Sequence, residues 1–214
     1  MIDAAGPALE TLPESLRSLA QRGVIRRYRK GTLLIQEGDE GDTLFFILAG
    51  RLRAFGSGDE DREITYGTYG PGEYLGEMSL DGGPRSASVI AVEATLCSIV
   101  TRHTLREHLK QHPDFAFELL AKVIRRARAA TLSAKQLALN DVYGRLVLTL
   151  NALAAPQLDG VRLIEERLTH REIASRLGCS REMVSRLLKD LNSGGYVRAT
   201  ERGLELRGSL PTRW

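Results

Sequence analysis

Charged side chains recur at helical spacing in residues 181–189, opposite an apolar face. Arg181, Glu182 and Arg186 belong to the charged face, and Leu187 and Leu188 belong to the apolar one. Arginine can donate two hydrogen bonds to guanine O6 and N7, and glutamate can accept one from cytosine N4. These side-chain types therefore predict contact with base edges in a major groove and a preference for G·C pairs. The alternative is an ordinary solvent-exposed helix face.

The surrounding spacing favours base reading, because it is typical of two tightly crossed helices. Within residues 169–191, Ala174 supplies a small residue at the crossing, Gly178 a turn and Val184 a buried apolar side chain. Thr169, with Glu172 three residues later, is a suitable N-cap for the first helix, as Ser180 is for the second. The segment predicts a helix-turn-helix, followed by a hairpin wing at residues 196–198 and 204–206. The expected DNA contacts, the first three of them to phosphates, are Thr169, His170, Ser180, Arg181, Glu182, Ser185, Arg186 and Lys189.

A second group of polar side chains surrounds a glycine-rich turn in residues 76–88. Arg85 could pair with a phosphate, and Ser86 with nearby backbone amides could complete a cradle for it. Glu77 could accept a hydrogen bond from a ribose hydroxyl. The alternative is a structural salt bridge between Glu77 and Arg85.

Other candidate chemistry is weaker. His108 and His112 are four residues apart, but no further ligand accompanies them, so we expect no metal site. Cys97 and Cys179 lack CxxC spacing and are expected to be reduced and mostly buried. No nucleophile and base are arranged for catalysis, and we do not expect an enzyme.

The elements that must position these residues change in type along the chain. Residues 9–22 have the spacing of one amphipathic helix, with Pro13 in its first turn. Residues 28–100 contain short apolar runs (33–35, 44–48, 64–66, 87–92 and 96–100) separated by Gly and Asp, which predicts an antiparallel sandwich or barrel. A further helix is expected at residues 141–155, with a loop at 156–160.

Residues 113–140 form the longest predicted helix, because they contain no internal Gly. A helix of about 28 residues is about 42 Å long, more than one small domain can cover, so we expect a second copy of the chain to pack against it. The alternative is a core helix within one chain. The expected dimerisation seam is Phe117, Leu120, Ile124, Ala127, Thr131, Ala134 and Ala138.

Composition is that of a globular protein, with 43% hydrophobic residues and 27% charged residues in 214. The net charge of +3 arises in residues 141–214, which hold 12 basic and 9 acidic residues. No apolar run is long enough to cross a bilayer, and no signal-peptide pattern opens the chain. We therefore expect a cytoplasmic protein.

Residues 76–88 are similar to the phosphate-binding cassette of cyclic-nucleotide-binding domains, and residues 22–208 resemble the family of the cyclic-AMP receptor protein and the fumarate-nitrate regulator. The resemblance implies an α+β fold with an N-terminal antiparallel β-roll domain (residues 1–112), a dimerisation helix (113–140) and a winged helix-turn-helix domain (141–214). It implies a homodimeric transcription regulator, with double-stranded DNA and RNA polymerase as partners. Residues 178–182 are closest to the cyclic-AMP receptor branch, which implies palindromic DNA with TGTGA-like half-sites.

The same resemblance implies a cyclic nucleotide as effector, cyclic AMP first, and no iron–sulfur cluster or haem. Ala130 stands where the family has an adenine-contacting threonine, and Thr131 stands where a serine reaches the partner's ligand. One alternative is a regulator with a vestigial pocket or a different effector. Another is a cyclic-nucleotide-binding interaction module without a DNA function. The expected ligand contacts are Gly76, Glu77, Met78, Ser79, Arg85, Ser86, Ala87, Ala130 and Thr131.

Overall fold

A computed structural model of the chain describes residues 5–10, 12–58, 62–157 and 161–211. The chain divides into two compact units. Residues 1–56 and 65–129 form the first unit, and residues 57–64 and 130–214 form the second. The functional boundaries expected after residues 112 and 140 stay predictions.

Two four-stranded antiparallel sheets dominate the amino-terminal half, and the expected β-roll architecture is confirmed. One sheet has the order β1-β8-β3-β6 and the other β2-β7-β4-β5. Strands β1, β4 and β6 were not predicted, since they are short or interrupted by charged residues. The strands are β1 (Val24–Tyr28), β2 (Leu33–Ile35), β3 (Thr43–Ala49), β4 (Leu52–Ser57), β5 (Glu63–Tyr69), β6 (Tyr74–Leu75), β7 (Ser88–Ala91) and β8 (Thr95–Thr101).

Strand β3 is the centre of this core because both of its faces are covered. Phe45 and Ile47 belong to a cluster shared with the other sheet, whereas Leu44, Phe46 and Leu48 pack in a cluster with helical residues. Successive side chains of a strand point to opposite faces, so a continuous apolar run here marks burial on both sides. The helices over the second face are α1 (Ala5–Glu10), α2 (Glu14–Ala20) and α3 (Arg102–Gln111).

The expectation of a single helix over residues 9–22 is wrong. The structure has α1 and α2 instead, and Pro13 is the N-cap of α2 with φ −51°. Proline cannot donate a backbone hydrogen bond and pushes the preceding residue towards extended backbone, so a helix ends before it more readily than it continues.

The long helix α4 runs from Phe115 to Leu139, which confirms the predicted element with slightly shorter ends. Phe115 is its one buried side chain among the described residues. Within the described ranges no helix is both long and apolar enough to span a membrane.

The carboxyl-terminal half is a winged helix-turn-helix. Its helices are α5 (Val142–Leu153), α6 (His170–Leu177) and α7 (Arg181–Ser193), and its four-stranded sheet has the order β11-β12-β10-β9. The predicted loop at 156–160 is partly wrong, because Pro156 pairs with Arg162, while residues 158–160 lie outside the described part. The strands are β9 (Ala155–Pro156), β10 (Arg162–Ile164), β11 (Val197–Thr200) and β12 (Gly203–Leu206). Strands β11 and β12 pair with each other, which confirms the predicted hairpin wing. Strands β9 and β10 were not predicted, because they are too short to show periodicity.

Candidate DNA-binding and nucleotide-binding sites

Both helices of the helix-turn-helix begin at the predicted caps. Thr169 Oγ1 accepts from the Glu172 amide at 3.2 Å, and the Glu172 carboxylate accepts from the Thr169 amide at 2.6 Å, which completes a capping box. Ser180 Oγ accepts from the Met183 amide at 3.2 Å. Gly178 ends α6 in the left-handed region, with φ 64°. The turn is therefore fixed by residues that the sequence identifies.

The crossing of α6 and α7 is tightly packed. Ala174 is 4% exposed and Val184 is fully buried, in one cluster with Leu177 and Leu188. This packing confirms the small-residue and buried-valine positions. It holds α7 rigidly, so the direction of its outer face is set by the core beneath it.

The outer face of α7 has the charge pattern expected of a base reader. Arg181, Glu182, Arg186 and Lys189 are exposed, and Ser185 is half-buried. Ser185 Oγ lies 2.8 Å from His170 Nδ1 and 3.0 Å from the Arg181 carbonyl, so it joins the two helices. The three predicted base-reading groups, Arg181, Glu182 and Arg186, thus face solvent on one helix together with Lys189.

The cassette around Gly76 is built on a turn that requires glycine. Gly76 has φ 98°, and a Cβ placed there would lie 2.4 Å from the Thr43 carbonyl oxygen, so only glycine fits. A single 3-10 turn, Glu77–Ser79, follows it. Met78 is 50% exposed, whereas Glu77 and Ser79 are buried.

Arg85 is buried and bonded to the cassette itself. One terminal nitrogen donates to Ser79 Oγ at 2.8 Å and to the Thr43 carbonyl at 3.0 Å, and the other donates to Thr43 Oγ1 at 2.9 Å. A Cβ on Gly41 would lie 2.4 Å from Arg85 Nε, so that glycine makes room for the guanidinium. Burial lowers the pKa of Arg85, although an arginine stays charged. Ser86 is exposed and Ala87 is half-buried beside it.

Glu77 pairs with Arg126 of α4, a residue that the sequence did not single out. Arg126 donates to Glu77 Oε1 and, at 2.8 Å, to the Tyr74 carbonyl, while its guanidinium lies 4.9 Å from the centre of the Tyr69 ring. The structure thus corrects the alternative of a salt bridge between Glu77 and Arg85. No sequence signal separates Arg126 from its neighbours Arg125 and Arg128.

Two atoms of this buried pair keep unused hydrogen-bonding capacity. Among the described residues, Glu77 Oε2 and Arg126 Nε have no hydrogen-bond partner. Burial lowers the pKa of Arg126, and the nearby Tyr69 opposes that change. An unpaired acceptor and an unpaired donor buried together are costly, and a ligand group able both to donate and to accept would relieve the cost.

The remaining predicted residues are on α4. Ala130 and Thr131 are exposed and fall in the second compact unit, so their contact with a ligand stays a prediction. The seam residues Phe117, Leu120 and Ile124 are 72%, 54% and 42% exposed. Ala127, Ala134 and Ala138 are exposed as well. The sequence reasoning missed further exposed apolar side chains, which are Val123, Leu132, Leu137 and Leu139.

His108 and His112, which the sequence did not favour as metal ligands, pack as aromatic rings. His108 is 2% exposed, stacks on His112 with ring centres 4.5 Å apart and meets Phe115 edge-on. In the described ranges no group of three or more His, Cys, Asp or Glu side chains could hold a metal ion. Cys97 is buried and Cys179 is half-buried, and both are free thiols, as predicted.

Comparisons with known proteins agree with this architecture. Residues 25–112 match the model of the cyclic nucleotide-binding domain, and residues 144–207 match that of the Crp-like helix-turn-helix domain. The cyclic AMP receptor protein of Thermus thermophilus is 35% identical over 183 residues, which cover 85% of this chain and 83% of that protein. The CRP-like protein Clp of Xanthomonas oryzae pv. oryzae is 30% identical over 198 residues, covering 86% and 84%. A solved structure of the c-di-GMP responsive global regulator CLP of Xanthomonas campestris superposes with a TM-score of 0.79 at 26% identity, over 91% of this chain and 99% of that one.

The fold and the exposed recognition helix define a DNA-binding transcription regulator with a cyclic-nucleotide-binding domain. The chain belongs to the family of the cyclic-AMP receptor protein and the fumarate-nitrate regulator.

Proposed function

We propose that the protein is a homodimeric, sequence-specific transcription regulator whose binding to palindromic DNA is gated by a cyclic nucleotide. Cyclic AMP is the first candidate, and the half-sites are TGTGA-like. The protein also binds RNA polymerase and is located in the cytoplasm. The observation that carries the gating is the unsatisfied Glu77–Arg126 pair, which adjoins the cassette turn.

A ribose hydroxyl has the chemistry that this pair lacks. The hydroxyl can donate a hydrogen bond to Glu77 Oε2, and its oxygen can accept a hydrogen bond from Arg126 Nε. A hydrogen bond to a charged group is worth about 1.5–3 kcal/mol, or about 10- to 150-fold in affinity. Two cassette residues beyond this pair, Arg85 and Ser86, are proposed to take the cyclic phosphate.

Calorimetric titration with cyclic AMP, cyclic GMP and cyclic di-GMP tests the gating. Binding of cyclic AMP should weaken at least tenfold in Glu77→Gln, which keeps the shape but loses the charge. Glu73→Gln is a matched control, because Glu73 is next to the same strand but bonds to the Gly70 amide at 2.9 Å. No heat with any nucleotide would refute the gating.

A different effector is the second candidate, supported by two observations. Arg85 already donates to two oxygens of the cassette, on Gly76 and Ser79, and to two oxygens of Thr43, so a phosphate must compete with them. The Xanthomonas campestris regulator that superposes on this chain is described as c-di-GMP responsive. Heat with cyclic di-GMP and none with cyclic AMP would favour this candidate.

Exposed charge on α7 supports the proposed base contacts. Arg181→Ala should lose about 1–3 kcal/mol of discrimination between a TGTGA-like palindrome and a scrambled duplex. Arg202→Ala is a control, because Arg202 is exposed at the tip of the wing hairpin. An unchanged sequence preference in Arg181→Ala would count against the base contact assigned to Arg181, whereas a parent protein without any preference for the palindrome would favour the alternative of an interaction module that does not read DNA.

Exposed apolar side chains on α4 support the homodimer. Phe117, Leu120 and Ile124 recur at three- and four-residue spacing and leave apolar surface in water. Ile124→Glu should shift the protein from dimer to monomer in analytical ultracentrifugation, because it places a charge in the seam. Arg125→Glu is the control on the neighbouring face. A monomeric parent protein would refute the proposal.

A further inference from the structure

The hydrogen bond between His170 and Ser185 fixes which imidazole nitrogen carries a proton. A serine hydroxyl has one proton to donate. Ser185 Oγ lies 3.0 Å from the carbonyl oxygen of Arg181, one helical turn earlier, and donates to it. His170 Nδ1 lies 2.8 Å from the same oxygen, and we assign it as the donor of the second bond because the serine proton is already used.

A neutral imidazole has one N–H group, so its other nitrogen carries a lone pair and can only accept a hydrogen bond. With the proton on Nδ1, Nε2 of neutral His170 is an acceptor and repels a phosphate oxygen. Protonation of Nε2 converts the ring into a cation that donates from both nitrogens. His170 is exposed at the first turn of α6, where the proposed phosphate contact lies.

A phosphate that contacts the neighbouring Thr169 must compete with the helix cap for its donors. The Thr169 amide and hydroxyl both donate to one oxygen of Glu172, at 2.6 and 2.8 Å. Among the described residues, no carboxylate forms an ion pair with His170. The charged groups on the adjoining segments, α6 and α7 are Glu165, Glu166, Arg167, Arg171, Glu172, Arg176, Arg181, Glu182, Arg186, Lys189 and Asp190, and Glu166 is paired with Arg176.

We infer that Ser185 makes DNA affinity proton-dependent, by holding His170 in a tautomer that can donate to a phosphate only when the ring is protonated. The inference rests on the proposed phosphate contact of His170. Histidine side chains ordinarily change charge between about pH 5 and 8. The DNA-bound state binds the proton more tightly than the free state, so the gain in affinity is complete at low pH and is lost as pH rises.

The test measures binding of the full-length protein to a duplex with TGTGA-like half-sites at pH 6 and pH 8, with and without cyclic AMP. Affinity should be about 100-fold higher at pH 6, about tenfold for the one charge-assisted hydrogen bond gained at each of the two half-sites. The slope of log affinity against log salt should steepen by about 0.9 for each phosphate neutralised, or about 1.8 for two half-sites. A scrambled duplex should show the same pH effect, because phosphates carry no sequence.

Three substitutions identify the groups responsible. His170→Gln should bind equally at both pH values, and His170→Arg should bind at pH 8 as the parent does at pH 6. Ser185→Ala should gain affinity at pH 8, since the neutral ring can then place its proton on Nε2. His103→Gln, an exposed histidine of α3, is the control and should keep the full pH effect.

Two results would overturn the inference while leaving DNA binding intact. One is a parent protein whose affinity is the same at both pH values, as expected if Ser185 donates to His170 instead. The other is a pH effect that survives in His170→Gln. Failure to bind any duplex at low salt, with or without nucleotide, would instead contradict the proposed DNA function itself.

Discussion

Replacing Arg126 with methionine should destabilise the β-roll unit strongly. The substitution keeps most of the side-chain volume but removes the cation that Glu77 faces. Glu77 has a side chain only 1% exposed, and that of Arg126 is 20% exposed, so water screens neither group well. The hydrogen bond to the Tyr74 carbonyl is lost as well.

The size of the effect follows from burial. Breaking a buried ion pair by removing one partner costs about 3–5 kcal/mol, because the remaining charge has no compensation. We take the lower end, about 3 kcal/mol, since methionine restores apolar contact. A loss of this size lowers Tm by about 6–12 °C in a protein of this length.

Thermal unfolding followed by circular dichroism, at one fixed protein concentration, measures this loss. Arg125→Met is the matched control, because Arg125 is exposed on the same helix and should change the free energy of unfolding by less than about 0.5 kcal/mol. Adding Glu77→Gln to Arg126→Met should recover part of the loss, since the uncompensated charge is then gone. Equal Tm values for Arg125→Met and Arg126→Met would refute the reasoning.

Three further substitutions or treatments test other parts of the fold. Ala174→Leu should destabilise the helix-turn-helix by about 1–3 kcal/mol in a denaturant titration, because it overpacks the crossing, whereas Ala152→Leu, at an exposed position of α5, should not. Burial raises the pKa of Cys97 to about 12, so iodoacetamide at pH 8 should label it only after unfolding in urea, as mass spectrometry would show. Desolvation lowers the pKa of Lys122 to about 8, below its unfolded value, so the parent should gain stability relative to Lys122→Met between about pH 8 and pH 10. Equal slopes of stability against pH in those two proteins would contradict that assignment.

Long or well-marked elements of the fold could be predicted from the sequence, and very short ones could not. The helix-turn-helix was predictable because its caps at Thr169 and Ser180 are local signals, read within a few residues. Strand β6 is two residues long, and its pairing with β3 depends on contacts far apart in sequence. The break before Pro13 was misread because proline suits both the first turn of a helix and the end of the segment before it.

The cassette was predictable in its residues but not in its internal bonding. Gly76 marks a turn with positive φ, and Glu77 and Arg85, which follow it and are both buried, mark a polar site. Which arginine forms the ion pair with Glu77 depends on tertiary structure, because the guanidinium groups of Arg85 and Arg126 are chemically the same. The fold decides it by directing Arg85 to the Thr43 backbone and side chain, and by placing α4 beside the turn.

Arg126 connects the proposed nucleotide site to the proposed dimerisation seam. It is on the same helix as Phe117, Leu120 and Ile124, so any ligand that changes the Glu77–Arg126 pair acts on the element that carries the exposed apolar side chains. Coupling of this kind is reciprocal. With one nucleotide site in each subunit, a nucleotide that binds each site of the dimer more tightly than the monomer by some factor must strengthen dimerisation by the square of that factor. Sedimentation with and without cyclic AMP measures the change in dimerisation, and titration of the parent and of a monomeric Ile124→Glu protein measures the ratio of affinities. Equal affinities of the two proteins for cyclic AMP would place the coupling elsewhere than in the dimer equilibrium.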